Sequence, residues 1–510
     1  VIRTGAAAAL VVFLLLLAAL PARAQLAIDN LLELQLGNRP TEPYRDRTDT
    51  YDQLDAALAF GLTRAGVRFE SDHSSDESAP YGRVTRRWFE FGEPRLRVRA
   101  GNYTTILGRG LLHRSWDLPG VVLDQSGVRS RYGFLRDVDG LTLDATAGPV
   151  ALRGVEGRPN SGEVSPGVED AYDVPRYAGE MIGGQALVRT WRDATIGAHY
   201  LRFTPDGLRH REYGSGSLAL DPLGMLKVGG VSLPLYAEYA RADATLSNWW
   251  DLRAPEGTPS ALYASANLLA GPFALSAEWK DYEQFRLGIN DPPSLVREHT
   301  FVLPNRSTHL VHLEDEEGYQ IEGTVRIGGW GSLLGNLSRG DGEVSPSLPP
   351  RRFAERYVEA DFEPRVDRGG RMALFYDFNE DQFEGVQGRD MVGGRITHDL
   401  PHTLTAELDV EHLHERRAPD AFDDEYLSFT LQHARWGSAA FIWQRTTDPA
   451  ERLDELPRHY LAGVLSAPIG QRHVVTLFAG QRREGIACTA GTCYVVEAFE
   501  GVELRITSRF

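Results

Sequence analysis

The chain has 510 residues, of which 42% are hydrophobic and 25% charged, and a net charge of −17. No run of about 20 apolar residues follows residue 24, which excludes a polytopic helical membrane protein, and an aromatic content of 10% excludes a disordered chain. Only two lysines occur, Lys227 and Lys280, and arginine forms no basic arm, so nucleic acid is not an expected partner.

In chain order, the first element is residues 1–24. Arg3 precedes an apolar run from Ala6 to Leu20, and Pro21-Ala22-Arg23-Ala24 follows as an A-x-A site. A basic start, a short hydrophobic stretch and a small-residue cleavage site predict a secretory signal peptide. Its removal takes away Arg3 and Arg23 and no acid, moving the charge from −17 to −19.

From residue 25 onward the dominant pattern is period-two alternation, which predicts strands with one apolar face. Arg95, Arg97 and Arg99 alternate with Leu96, Val98 and Ala100. Phe273, Leu275, Ala277 and Trp279 alternate with polar or small residues, as do Leu404, Ala406, Leu408 and Val410 with Thr405, Glu407, Asp409 and Glu411. Glu359, Asp361 and Glu363 form a further acidic row. Like charges two residues apart on one face do not suit a packed soluble core. Two readings stay open for these rows. They line a water-filled lumen and create a transverse field, or they pair with adjacent strands and stiffen the wall.

Several segments interrupt the alternation. Residues 103–138 hold Leu107-Gly108-Arg109-Gly110-Leu111-Leu112 and Trp116, too apolar for a solvated loop tip. Either they fold inward, with Arg109 near the inner wall, or they contain an unrecognised hairpin. The polar connections 158–177 and 284–317 read as long surface loops. His412 and His414 flank Leu413 on the outward face of a strand, with Glu411 and Glu415 opposed to them, so their ligands would not converge. The acidic runs Asp72–Glu77, Glu314–Glu317 and Asn379–Asp381 match no EF-hand spacing. Trp88, Trp279, Trp330, Trp436 and Trp443 lie near strand ends or turns, where interfacial aromatics of a membrane barrel belong. Cys488 and Cys493 sit in a Gly-containing loop; in an oxidising compartment a local disulfide is expected, and two cysteines alone do not make a metal site.

The chain ends on a strand, Gly501 to Phe510, in which Val502, Leu504 and Ile506 alternate with Glu503, Arg505 and Thr507. A strand ending on a terminal aromatic resembles the last strand of bacterial outer-membrane β-barrels. In those proteins the terminal Phe is read by the barrel-assembly machinery, a role the resemblance implies for Phe510. Gly108-Arg109-Gly110 after an early strand, with a cysteine pair before the last strand, is also similar to barrel families of no known activity. The resemblance implies an all-β fold: a transmembrane antiparallel up-and-down barrel over 25–510, with short periplasmic turns and long extracellular loops. Connection lengths suggest about 24 strands, within about two either way.

The resemblance further implies outer-membrane lipid and lipopolysaccharide as surroundings, and the assembly machinery as partner. The leading functional expectation is a porin-like channel for passive passage of small solutes. Segment 103–138 would then act as porin constriction loops do, and Arg95, Arg97, Arg99, Arg109, Glu359, Asp361, Glu407, Asp409 and Glu411 would line the pore. A second expectation is a structural or interaction barrel: a surface scaffold, adhesin or complex subunit acting through its outer loops, with a protein partner or plug. A third is a surface hydrolase. No G-x-S-x-G, Walker, H-E-x-x-H or Rossmann motif is present, so no catalytic residue, metal ligand or cofactor is assigned.

Overall fold

Alternating apolar and polar residues give each strand two unlike faces, and a sheet made of such strands must give its apolar face somewhere to go. Here the sheet closes on itself. The computed structural model describes residues 24–510 except 39–46, 76–79, 119–122, 125–127, 130–133, 161–176, 178, 191–193, 243–257, 296, 310–314, 343–348, 364–368, 452–455, 490–491 and 497. The expected signal peptide lies outside the described residues, apart from Ala24.

The barrel has 24 antiparallel strands. Each pairs with its neighbours in sequence, and the first strand, Gln25–Asn38, pairs with the last, Phe499–Arg509. Along that seam Glu33 lies opposite Arg505 and Leu32 opposite Ile506. Closure gives each barrel strand a neighbour on both sides among the described residues, the condition for crossing hydrocarbon with strands. Typical strands, such as Leu404–Arg417 and Asp420–His433, run 14 residues, more than the about 9–11 needed to cross a bilayer at a tilt.

Which face points out is settled by exposure. Phe89, Phe91, Leu141, Leu152, Leu275, Leu374, Val410, Phe429, Phe441, Leu461 and Leu465 are all exposed, although large and apolar. Contiguous around the molecule, they form a belt that only lipid can cover. Among their chain neighbours, Glu90, Thr142, Asp409, Glu411 and Ser428 are buried and polar, as are Asp377 and Gln444 on the same inward face of their strands. The molecule is thus the inverse of a soluble sandwich.

Tight turns on one side, at 61–62, 94–95, 148–149, 271–272, 401–403 and 470–472, contrast with connections such as 104–137, 243–259, 284–314 and 483–498 on the other. Both ends of the barrel chain lie on the short-turn side. One short-side connection breaks the pattern. Residues 221–234 carry a one-turn helix, Pro222–Met225, capped by Asp221, whose Oδ1 accepts from Gly224 N–H at 2.9 Å.

Four of the five tryptophans singled out from sequence fit an interfacial position. Trp330 and Trp436 are exposed at short turns, and Trp279 and Trp443 face outward nearer the long loops. Trp88 does not. It lies on the inward face, opposite Gly66, with the Arg99 guanidinium 4.3 Å above its ring. Its parity within Tyr81–Glu93 puts it with Glu90, not with Phe89 and Phe91.

Candidate functional site in the lumen

The lumen is not an empty tube. Among the described residues, two connections from the long-loop side fold into it, and each buries apolar side chains against the inner wall. The first begins at Tyr103. Leu107, Leu111 and Leu112 are fully buried in a cluster with Val138, Met181, Leu201, Tyr263 and Tyr282. Leu111 therefore faces inner-wall side chains, not lipid.

The turn between them needs glycine. Gly108 and Gly110 have φ of +60° and +96°, and a Cβ on Gly108 would overlap the Glu238 carboxylate. This approach lets Arg109 N–H donate to Glu238 Oε2 at 2.7 Å and Gly108 N–H donate to Gln185 Oε1 at 3.3 Å. Glu238 also accepts from Ser215 Oγ (2.8 Å) and Tyr236 Oη (2.6 Å). The Arg109 side chain lies over the Tyr236 ring at 4.9 Å.

The second inward segment runs from 284 to 309. Phe285, Leu287, Ile289 and Leu295 join the first cluster. His113 on the first segment meets the carbonyl of Ile289 through Nδ1 at 2.9 Å, and Arg136 donates to the carbonyls of Gly288 (2.6 Å) and Asn290 (3.3 Å). Burial, reinforced by the nearby Arg136 charge, lowers the pKa of His113 to about 3. His113 is accordingly a neutral strut between the two segments.

Beyond residue 296 the chain crosses to the opposite wall. Phe301 and Leu303 enter a second cluster with Tyr357, Phe375, Met391, Leu413, Tyr426 and Phe478. A five-residue helix, Val302–Arg306, begins here. The N–H groups of Val302 and Leu303 donate to the two Glu411 oxygens at 2.8 and 2.7 Å. His299 meets Glu355 at 3.0 Å, His309 meets Asp381 at 2.8 Å, and Arg306 donates to Gln444 at 2.8 Å.

The expectation of a surface loop over 284–317 is therefore corrected for its described part up to residue 309. Arg297, His299, Arg306 and His309 meet partners on a polar inner wall rather than solvent, whereas Arg286 and Glu298 stay exposed. The other loop singled out, 158–177, lies mostly outside the described residues.

The inward-facing charges are arranged as follows. Arg97 and Arg99 point into the barrel, whereas Arg95 is exposed at a tight turn. Arg97 bonds Asp144 at 3.0 Å, and Asp144 also takes Arg153 Nε at 2.6 Å. Arg99 donates to Asn102 O at 3.0 Å. On the opposite side, Asp409 binds Arg395 at 2.7 Å, and Glu407 lies 3.8 Å from the same guanidinium while accepting from Thr397. Glu359 accepts from Tyr357 Oη at 2.6 Å and sits 3.5 Å from Arg297, which also pairs with Glu322. Asp361 accepts from Ser332 at 3.3 Å.

Each of the three rows thus carries a countercharge from a neighbouring strand or from the second inward segment. No purely basic wall faces a purely acidic one among the described residues. Sequence reasoning missed Arg153, Glu238, Arg297 and Arg395, because a single charge opposite a row leaves no periodic signal.

Depth matters as well. Inward residues near the long loops are buried: Glu33 and Gln35 on the first strand, Glu411 and Glu415 on Leu404–Arg417, and Gln444 and Thr446 on Gly437–Thr446. Those near the short turns, such as Thr405, Glu407, Ser438 and Ala440, stay partly exposed. The two segments fill the half of the lumen next to the long loops, and the half next to the short turns remains open to solvent.

His412 and His414 face outward and share Asp423, at 3.8 and 2.8 Å. Cys488 and Cys493 are directly opposed Cα partners in the hairpin formed by Gly485–Thr489 and Thr492–Val496. Phe510 exchanges backbone hydrogen bonds with Ile28, at 2.8 and 3.1 Å, and its ring is exposed beside His473.

No family model matches the chain, and no curated protein matches it. Solved structures do. The translocation pore of the P pilus usher PapC is 10% identical, with a TM-score of 0.46, covering 95% of this chain and 99% of that one. The siderophore receptor PirA from Pseudomonas aeruginosa is 9% identical, with a TM-score of 0.44 and coverage of 95% and 80%. A BenF-like porin from Pseudomonas fluorescens Pf-5 is 11% identical, with a TM-score of 0.40 and coverage of 77% and 98%.

Proposed function

We propose that the chain is an outer-membrane channel for small polar or charged solutes, narrowed by its two inward segments. The observation that carries this reading is the half-open lumen. Charged rows around Arg97, Arg153, Glu407 and Arg395 stay accessible from the short-turn side, and the two segments take up the half beyond. A polar, solvent-reached passage leading to a loop-built constriction gives selectivity through side chains at close quarters. In this reading the apolar belt lies in outer-membrane lipid beside lipopolysaccharide. Phe510, exposed at the closing seam, is the residue offered to the assembly machinery.

Conductance of the purified protein in a planar bilayer tests the proposal. The wild type should give stable steps. Arg395→Gln, which strips Asp409 and Glu407 of their countercharge, should shift selectivity toward cations, and Asp144→Asn should shift it toward anions. A silent bilayer with correctly folded protein would overturn the channel reading.

A second reading has one observation in its favour. Two apolar clusters, around Leu111 and around Phe301, seal segments to opposite walls. A barrel so filled would serve as a scaffold or complex subunit acting through its outer loops. Silence in the bilayer is the result that reading expects.

A further inference from the structure

Among the described residues of the lumen, one of the pairs above, His299 with Glu355, has a third ionisable side chain beside it. His299, on the second inward segment, meets Glu355 of the strand Arg351–Phe362 and Asp377 of the strand Gly370–Asp381. The two carboxylates are diagonal neighbours on one face, since Glu355 lies opposite Asn379 and Asp377 opposite Tyr357. One donor atom from each of the three residues falls within 4.8 Å of the others, and all three residues are buried. His299 Nε2 and Glu355 Oε1 are 3.0 Å apart.

We infer that His299, Glu355 and Asp377 form a binding site for a divalent transition-metal cation of the zinc class, which fastens the second inward segment to the barrel wall.

Charge supports this. Two buried carboxylates share one imidazole, and a lone carboxylate in such surroundings is strongly disfavoured. Arg389, a guanidinium on the neighbouring strand, is committed to Glu415, to Asn379 Oδ1 and to the carbonyl of Ser307. A dication with a neutral imidazole and two carboxylates sums to zero.

Unused bonding capacity points the same way. Glu355 Oε2 and Asp377 Oδ1 are buried with no hydrogen-bond partner. Zinc takes imidazole nitrogen and carboxylate oxygen at about 2.0–2.2 Å in a tetrahedron, which places neighbouring donors about 3.3–3.6 Å apart. The His299–Glu355 separation of 3.0 Å needs only a few tenths of an ångström of spreading to reach that range. One imidazole with carboxylates suits zinc, manganese or iron better than the all-oxygen cages of calcium and magnesium.

An outer shell is also in place. Asn379 Nδ2 donates to Asp377 Oδ2 at 3.2 Å, Asn305 Nδ2 donates to the His299 carbonyl at 3.1 Å, and the His299 ring packs 4.7 Å from Tyr357. Such contacts hold ligands in orientation. With three protein donors, a fourth position is left for solvent or a solute group.

Titration of the full chain in detergent micelles with zinc chloride, followed by calorimetry, tests the site without reference to conductance. One zinc per chain is expected, with Asp377→Asn or His299→Ala weakening binding at least tenfold. Magnesium should not compete, and the outward variant His412→Ala should bind as the wild type does. Retained heat-modifiable migration on gels reports that each variant is folded. Should a variant fail to fold, zinc-edge X-ray absorption of the wild type decides: a single imidazole among oxygen ligands is expected. No stoichiometric zinc, unchanged affinity in a folded Asp377→Asn, or a two-histidine or sulfur environment would each overturn the site.

Discussion

Glu411 and His309 show how single inward residues position the second segment. Glu411 is buried and gives one oxygen to each of the first two N–H groups of the helix Val302–Arg306. A helix start leaves those groups without intrahelical partners, and a carboxylate is their best acceptor. Glu411→Gln offers one acceptor oxygen and a competing donor. It should cost about 2 kcal/mol in holding the segment, roughly a thirtyfold rise in hydrogen exchange across residues 301–307. Unchanged exchange would show that the apolar contacts of Phe301 and Leu303 hold the segment by themselves.

His309 has a different dependence. Burial opposes its charge, but Asp381 and Glu316 overcome this and raise its pKa above the ordinary 6.5. Lys280 is also present, paired with Glu316, while Phe353 stacks on the ring and Phe383 leans against it. A raised pKa means that the protonated imidazole contributes its full stabilisation below about 6.5 and loses it as pH climbs through the raised value. Exchange near residues 307–309 should therefore quicken on the alkaline side, and His309→Ala should flatten that dependence.

Among elements, the hairpin Gly485–Thr489 and Thr492–Val496 yields a prediction from register alone. Directly opposed antiparallel residues have Cα atoms about 4.5–5.5 Å apart, inside the about 4.4–6.8 Å range of a disulfide. Cys488 and Cys493 should be oxidised in protein from an oxidising compartment. Intact mass before and after reduction should differ by about two hydrogens, and two thiols that alkylate without reductant would refute the bridge.

Elements also show what a sequence can reveal. The strands were legible because alternation is local, as in Phe273–Glu283, where Leu275 and Trp279 face out and Lys280 is buried. The first inward segment was legible only in part: Leu107, Leu111 and Leu112 are too apolar for water, but the same run also read as an unrecognised hairpin. The second was not, because Arg297, His299, Arg306 and His309 make it look solvated, and their partners Glu322, Glu355, Gln444 and Asp381 lie 25 to 138 residues away. Hydropathy reports a side chain's preference for water, not the polar wall that can replace water. Trp88 failed for a related reason: closeness to a strand end does not specify a face, whereas counting parity from Phe89 and Phe91 would have.

At the scale of the whole molecule, the barrel depends on one pairing that joins the chain's two ends. Between the first and last strands, Arg505 binds Glu33 at 3.0 Å and Glu503 at 2.7 Å, Arg482 binds Glu503 at 2.7 Å, and Gln35 bridges Glu33 and Glu503. All five residues are buried. The same seam carries a second ion pair, Arg509 with Asp29 at 2.7 Å, in which the arginine side chain is almost wholly exposed. The two pairs are close in length but differ in surroundings. Removing Arg505 takes the guanidinium away from the buried Glu33 and Glu503 carboxylates, and breaking a buried pair by deleting one partner costs about 3 kcal/mol or more. Removing Arg509 leaves Asp29 in solvent, where an ion pair contributes little. Because an opened seam exposes two strand edges at once, the loss should affect the entire barrel rather than fray one strand. Arg505→Met should therefore lower the temperature at which the folded form converts to the slow-migrating unfolded form on gels, and Arg509→Ala should leave it unchanged. Equal shifts for the two variants would mean that backbone pairing alone, without the buried charges, determines closure.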